Sequence, residues 1–132
     1  MINKKKQGFT LIELLVVIAI IGVLTALSMF AINNSRIAAR DAKRKADLAS
    51  IQAGLEIYHS DCNSYPPAVS GQVPYPLKGD GSTGCATTNI YISTHYIDPV
   101  PTQSYTYTLV GAGYSLCATF EQPAGTSCVT NP

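Results

Sequence analysis

The run "LLVVIAIIGVLTALSMFAI", from Leu14 to Ile32, contains no charged residue. Nineteen residues of α-helix rise about 28 Å, enough to cross the hydrocarbon core of a bilayer. A chain of 132 residues has no core large enough to hide a helix that is apolar on every face. The run is therefore read as a membrane-spanning helix, and the rest of the fold has to be built around that element. One acid, Glu13, stands at its edge, just after Lys4, Lys5 and Lys6. A charge at the centre of such a helix costs roughly 2.5–3.5 kcal/mol, and somewhat less near an end. The presence of Glu13 therefore requires a reason.

The helical pattern continues past the apolar run. "NNSRIAARDAKRKADLASIQAGLEIYHSDC" has no proline and is rich in good helix formers. Leu48, Ile51, Leu55 and Tyr58 recur at three- and four-residue steps and form one apolar stripe. Asp41 and Lys45 have the favourable i,i+4 order for a surface ion pair. Upstream of Leu48 the segment is polar on nearly all sides. These features predict one helix from Thr10 to about His59, ended by "NSYPP".

From Pro66 to Asn89 turn residues dominate, which predicts an ordered loop with little regular structure. Short β signals follow. "IYIS" is a first strand, and "SYTYTLV" places Tyr105, Tyr107 and Leu109 on one face. "GAG" then makes a tight connection. "YSLCATF" places Tyr114, Leu116, Ala118 and Phe120 on one face, and "TSCVT" is a last edge strand. Three or four antiparallel strands with one apolar face need a cover, and the Leu48–Tyr58 stripe supplies it. The expected fold is α+β, a lollipop in which a long N-terminal helix, membrane-spanning in its first half, packs on a small C-terminal antiparallel sheet. The expected segments are 1–8, 9–32 (the spanning helix), 33–60 (its amphipathic continuation) and 61–132 (the loop and small sheet).

Charge narrows the functional classes. Nine basic and eight acidic residues nearly cancel, which argues against a generally cationic nucleic-acid binder. The cluster Arg36, Arg40, Lys43, Arg44 and Lys45 is read first as a solvated helix face. A contact surface between subunits comes second and DNA binding third, because a few helical charges give only weak, salt-sensitive affinity. Five basic residues follow the span and three precede it, so charge counting alone would put the C-terminal part on the cytoplasmic side.

Cys62, Cys85, Cys117 and Cys128 all lie beyond the apolar run. None has CxxC spacing and neither histidine is grouped with them, so a zinc site is not indicated. An even number of cysteines in a small polar domain suggests disulfides formed in an oxidising compartment, against the alternative of four reduced thiols. Of three pairings, Cys62–Cys85 and Cys117–Cys128 are favoured because each closes a local loop. An outward-facing C-terminal domain follows, contrary to the charge count. His59 and His95 are read as structural or solvated. No nucleophile motif, phosphate loop or paired-acid constellation is present, and neither an enzyme nor a cofactor is indicated. "KGDGSTG" offers one acid, Asp80, too few for a calcium loop.

Three readings of the N-terminus compete. A secretory signal would have a shorter apolar stretch before a small-residue cut site, for which "ALS" at Ala26–Ser28 is the only candidate. A plain uncleaved anchor explains the span but not Glu13. The third rests on a resemblance: "KKKQGFTLIELLVVIAIIGVL" resembles the prepilin leader of type IV pilins and of the pseudopilins of type II secretion and DNA-uptake machines. The likeness continues through "ARDAKRKADLASIQAGLEIYHSDCNSYP", in the style of the major-pseudopilin branch, and reaches more weakly into "YIDPVPTQSYTYTLVGAGYSL".

The resemblance implies that a prepilin peptidase cuts after Gly8 on the cytoplasmic side, making 1–8 a leader, and that the new N-terminus, Phe9, is methylated. It implies that the chain polymerises through its N-terminal helix into a pilus or pseudopilus, with Glu13 meeting the Phe9 amine of a neighbour and setting register. It also implies lipid and an inner-membrane assembly platform as partners, and DNA in an uptake filament. Small residues Gly22, Thr25, Ala26 and Ser28 permit close helix approach, or merely occur in a span. Many relatives carry a proline where Phe30 stands here, so a local melting of the helix is not implied. Some relatives bind calcium through acids in C-terminal loops, but Gln103 and Ser104 stand where an acidic pair is expected. Asp98 is thereby left largely alone, and no metal is assigned.

Overall fold

The computed structural model describes residues 8–131; residues 1–7, Lys4–Lys6 among them, lie outside the described residues. The chain divides into two compact units, Met1–Arg36 and Ile37–Pro132. The elements in order are α1 (Leu11–Cys62), β1 (Leu77–Lys78), β2 (Ile90–Ile92), β3 (Thr106–Val110), β4 (Gly113–Glu121) and β5 (Ala124–Asn131). This is the expected α+β class, a long apolar-led helix followed by small antiparallel sheets.

Within the first unit, α1 is helical from Leu11 and exposed along its length. It is uninterrupted at Phe30, whose side chain lies outside the described residues. The hydroxyls of Thr25, Ser28 and Ser35 each donate back to a carbonyl four residues earlier. Between Leu14 and Ile32 the two hydroxyl side chains, Thr25 and Ser28, are therefore satisfied within the helix, as a lipid environment demands.

In the second unit the apolar stripe of α1 is buried as expected: Leu48, Ile51, Leu55 and Tyr58 join Cys62 in the core. Their partners are Tyr105 and Tyr107, together with Tyr114, Leu116, Ala118 and Phe120 on the inner face of β4. Leu109 was expected on that face but is half exposed, because it lies beside the turn at the tip of the β3–β4 hairpin. The hairpin closes through Gly111 and Ala112, and Gly111 has φ 61°, which a residue without Cβ adopts freely. The helix ends three residues later than expected, at Cys62. Asn63 then takes a left-handed conformation (φ 54°) and donates its N–H to His59 O at 2.8 Å, a C-terminal cap.

The sheet order is β3-β4-β5, with β1-β2 as a separate two-stranded ladder. That ladder adds one two-residue strand to the otherwise irregular loop expected over Pro66–Asn89. Leu77 is buried and faces Ile92, so two residues of a turn-rich segment become a strand. Gly54 lets β2 approach, since a Cβ there would run into the Ile92 side chain.

Candidate functional site

Two arrangements carry chemistry, one in each unit. The first starts at Gly8, with Phe9 and Leu11 almost fully exposed. Thr10 precedes the helix, and its N–H and Oγ1 both donate to Glu13 Oε2 at 2.8 Å. Glu13 N donates in return to Thr10 Oγ1 at 3.3 Å. This is a capping box, in which two orphan donors at the helix start are satisfied reciprocally. Glu13 is therefore not an unsatisfied carboxylate within one chain. Its partner is Thr10, which the sequence reading had not assigned, although Thr-x-x-Glu ahead of an apolar run is a sequence-level signal for it. The box starts the helix at Leu11 and leaves the Gly8–Phe9 peptide outside it.

The most apolar 18 residues of α1 are entirely unburied. Among the described residues this helix is long and apolar enough to cross a membrane. A Cβ at Gly22 would meet nothing within 4 Å.

The second arrangement lies in the unit Ile37–Pro132, where the basic cluster proves not to be uniformly solvated. Arg44 is fully buried. Its Nε and Nη2 reach Asp98 Oδ2 and Oδ1 at 2.8 and 2.9 Å, and Nη1 reaches Asp41 Oδ1 at 2.7 Å and Glu121 Oε1 at 3.0 Å. Arg40 adds a two-point contact to Glu121. Asp41 does not pair with Lys45. It accepts from Arg44 and from the backbone N–H of Glu121 and Gln122, while Lys45 lies 5.9 Å from the Phe120 ring centroid. Asp98 does not stand alone, for it also accepts from Val100 N.

The titration of these acids follows from their partners. The hydrogen bond from Arg40, then that from Arg44, draws Glu121 down to about 2. Arg44 holds Asp98 below the ordinary carboxylate range, against the opposing effect of burial. At Asp41 burial is the largest effect and favours protonation, but two backbone N–H groups and Arg44 together outweigh it and leave the pKa lowered. The arrangement fastens α1 to the β4–β5 turn and to the Asp98 turn. All its acids are engaged with cations or N–H groups, so nothing in it is set up for acid–base catalysis.

Farther along α1, Glu56 accepts from Tyr114 Oη and Asn131 Nδ2 through one oxygen and from Tyr65 Oη through the other. The end of β5 is tied to the helix by these bonds. The cysteines form two disulfides, Cys62–Cys85 and Cys117–Cys128. The first fixes the loop to the end of α1, and the second joins register partners across β4 and β5. Asp80 lies near Cys62 and Cys85, but those sulfurs are bonded to each other and are not thiolate ligands. His59 stacks on Tyr65 and His95 on Tyr75.

Residues 3–29 match the family model described as the prokaryotic N-terminal methylation motif. The chain is 36% identical over 67 residues to the type II secretion system core protein G of Pectobacterium carotovorum, covering 51% of this chain and 43% of that one. It is 35% identical over 80 residues to the core protein G of Pseudomonas aeruginosa, covering 61% and 56%. It is 36% identical over 76 residues to the type IV major fimbrial protein FimA of Dichelobacter nodosus, covering 56% and 48%. The chain thus spans about half the length of the curated relatives it matches. No solved structure matches it. The motif and these relatives liken the chain to type IV pilins and major pseudopilins over about half of its length. The names these relatives carry, a secretion-system core protein and a fimbrial protein, describe components of assemblies rather than enzymes.

Proposed function

We propose that this protein is a structural subunit of a type IV pilus or pseudopilus. A prepilin peptidase removes residues 1–8 by cutting after Gly8, and the new N-terminus, Phe9, is methylated. The subunit waits in the inner or cytoplasmic membrane as a single-pass protein with its N-terminus cytoplasmic, and an assembly platform extracts it into an extracellular or periplasmic filament. The observation that carries this reading is the wholly exposed apolar helix, which starts at the Thr10–Glu13 box beside a Gly8–Phe9 peptide outside the helix, within a match to the methylation motif. Apolar helices that leave lipid bury their surface only against one another, and a filament core provides that burial. Glu13 then exchanges Thr10 for the Phe9 amine of a neighbour. A carboxylate left unpaired in an apolar bundle is penalised, so the pair acts mainly as a register device.

Several relatives named core protein G favour a type II secretion pseudopilus over a surface pilus, and a DNA-uptake filament is the other version of the same assembly. Mass spectrometry of the mature N-terminus tests the reading. Methylated Phe9 is expected, whereas an intact Met1 throughout the membrane fraction, with no cleaved form, would reduce the protein to a plain anchored domain. Electron microscopy of sheared surface material separates long pili from short pseudopili.

A further inference from the structure

The β3-β4-β5 sheet has two edges, and the chain treats them differently. At β3 the outward N–H of Tyr107 donates to Gly71 O at 2.7 Å, so the chain covers that edge itself. At β5 no such cover exists among the described residues.

The register fixes which groups β5 presents. The Cα atoms of Cys117 and Cys128 lie 4.0 Å apart, the close spacing of a non-hydrogen-bonded antiparallel pair. Bonding alternates along the ladder, so Thr126, Cys128 and Thr130 turn their N–H and C=O groups away from β4. Glu121, in a pair of the same parity with Ala124, accordingly donates its N–H to Asp41 and not across the ladder. Sheet edges are ordinarily blunted by a charge, a proline or a bulge. "AGTSCVTN" has neither charge nor proline, and it pairs one-to-one with β4. The Cys117–Cys128 bond holds it to the sheet. A fixed, open edge of this kind is a template for an added strand.

Beside the edge lies a groove of about 310 Å3, lined by Lys45, Phe120 and residues 122–127. It follows the inner face of β5, where Gly125 and Ser127 stand opposite the buried Phe120 and Ala118. A Cβ at Gly125 would meet nothing within 4 Å, so there is room along this face. Lys45 is exposed, and among the described residues no carboxylate pairs with it. An added strand turns every second side chain into the groove, and an acid is the favoured one beside Lys45. The β5 of a second copy brings no acid.

We propose that the β5 edge binds an extended segment of another protein as an added strand. The outward backbone groups of Thr126, Cys128 and Thr130 hold its main chain, and Lys45 meets an acidic side chain on it.

The test uses the full chain in detergent and a fluorescently labelled peptide, Thr-Val-Thr-Glu-Thr-Val-Thr, blocked at both ends. Saturable anisotropy is expected. Bound peptide should slow hydrogen exchange at the amides of Thr126, Cys128 and Thr130, and leave Gly125, Ser127 and Val129, already bonded to β4, little changed. A peptide with Gln in place of Glu should bind about threefold more weakly, as for a partly exposed ion pair, and Lys45→Gln should erase that difference. Thr126→Pro removes one outward N–H without touching the β4 ladder. It should weaken binding about tenfold, the equivalent of one lost hydrogen bond. Four results would overturn the proposal: no binding; protection without the alternation; equal affinity for the Glu and Gln peptides; or a dimer of the chain with the same alternating protection and no response to peptide, which would make a second copy the occupant. Binding is read on the subunit, so the outcome does not depend on whether the chain assembles.

Discussion

Arg44 and Asp98, 54 residues apart, meet through two parallel hydrogen bonds of 2.8 and 2.9 Å with both side chains buried. The fork geometry of a guanidinium on a carboxylate fixes orientation as well as distance. Arg44 also faces Asp41 and Glu121, so one cation serves three acids of this unit.

Removing that cation leaves Asp98 and Asp41 buried without their counter-charge. Arg44→Met is therefore expected to cost about 3–5 kcal/mol in chemical denaturation of the full chain in detergent. Arg44→Lys keeps the charge but cannot reproduce the fork on Asp98 together with the bonds to Asp41 and Glu121, and should fall between wild type and Arg44→Met. A loss below 1 kcal/mol in Arg44→Met would show that the network does not hold the unit together.

Acid should loosen the same contacts. Glu121, Asp98 and Asp41 all titrate below their ordinary values in the folded chain, Glu121 at about 2. The unfolded chain therefore binds more protons as the pH falls below the ordinary carboxylate values of 4.5 and 3.8. The stabilisation is complete above that range and is lost progressively as the pH falls towards about 2. Urea midpoints measured between pH 5 and pH 2 should decline, and the decline should be shallower in Glu121→Gln.

Legibility in the sequence follows the range of the interactions. The long apolar helix, the Leu48–Tyr58 stripe and the alternation of β4 were readable because period and composition are local properties. The same holds for Thr10 and Glu13, whose spacing alone carries the capping box. Arg44 was not readable as a buried group. Within α1 it is one of five basic residues, and its partners Asp98 and Glu121 lie far along the chain. β1 was missed because two residues are too short to show a period, and Leu77 becomes a strand residue only when Ile92 lies opposite it.

The two disulfides should protect different segments. Each closes a loop of modest length, worth about 3 kcal/mol in the chain-entropy model. Replacing Cys117 and Cys128 together with serine should raise hydrogen exchange mainly over 124–131, the exposed strand that the bond ties to β4. Replacing Cys62 and Cys85 should instead expose 63–89, including β1. Equal, global acceleration in both variants would show that the unit opens only as a whole.

Glu13 has two separable jobs on the proposed reading: capping its own helix and neutralising a neighbour's Phe9 amine. Glutamine serves in a capping box as glutamate does, but it carries no charge. Glu13→Gln should therefore keep the helix start and membrane insertion while filament yield falls, whereas Glu13→Leu loses both the cap and the charge. Thr10→Val removes the hydroxyl partner and leaves the charge in place. If charge sets register, sheared-filament yield should rank Thr10→Val above Glu13→Gln, with membrane content equal among all three. The reverse ranking would assign Glu13 to the helix cap and remove it from assembly.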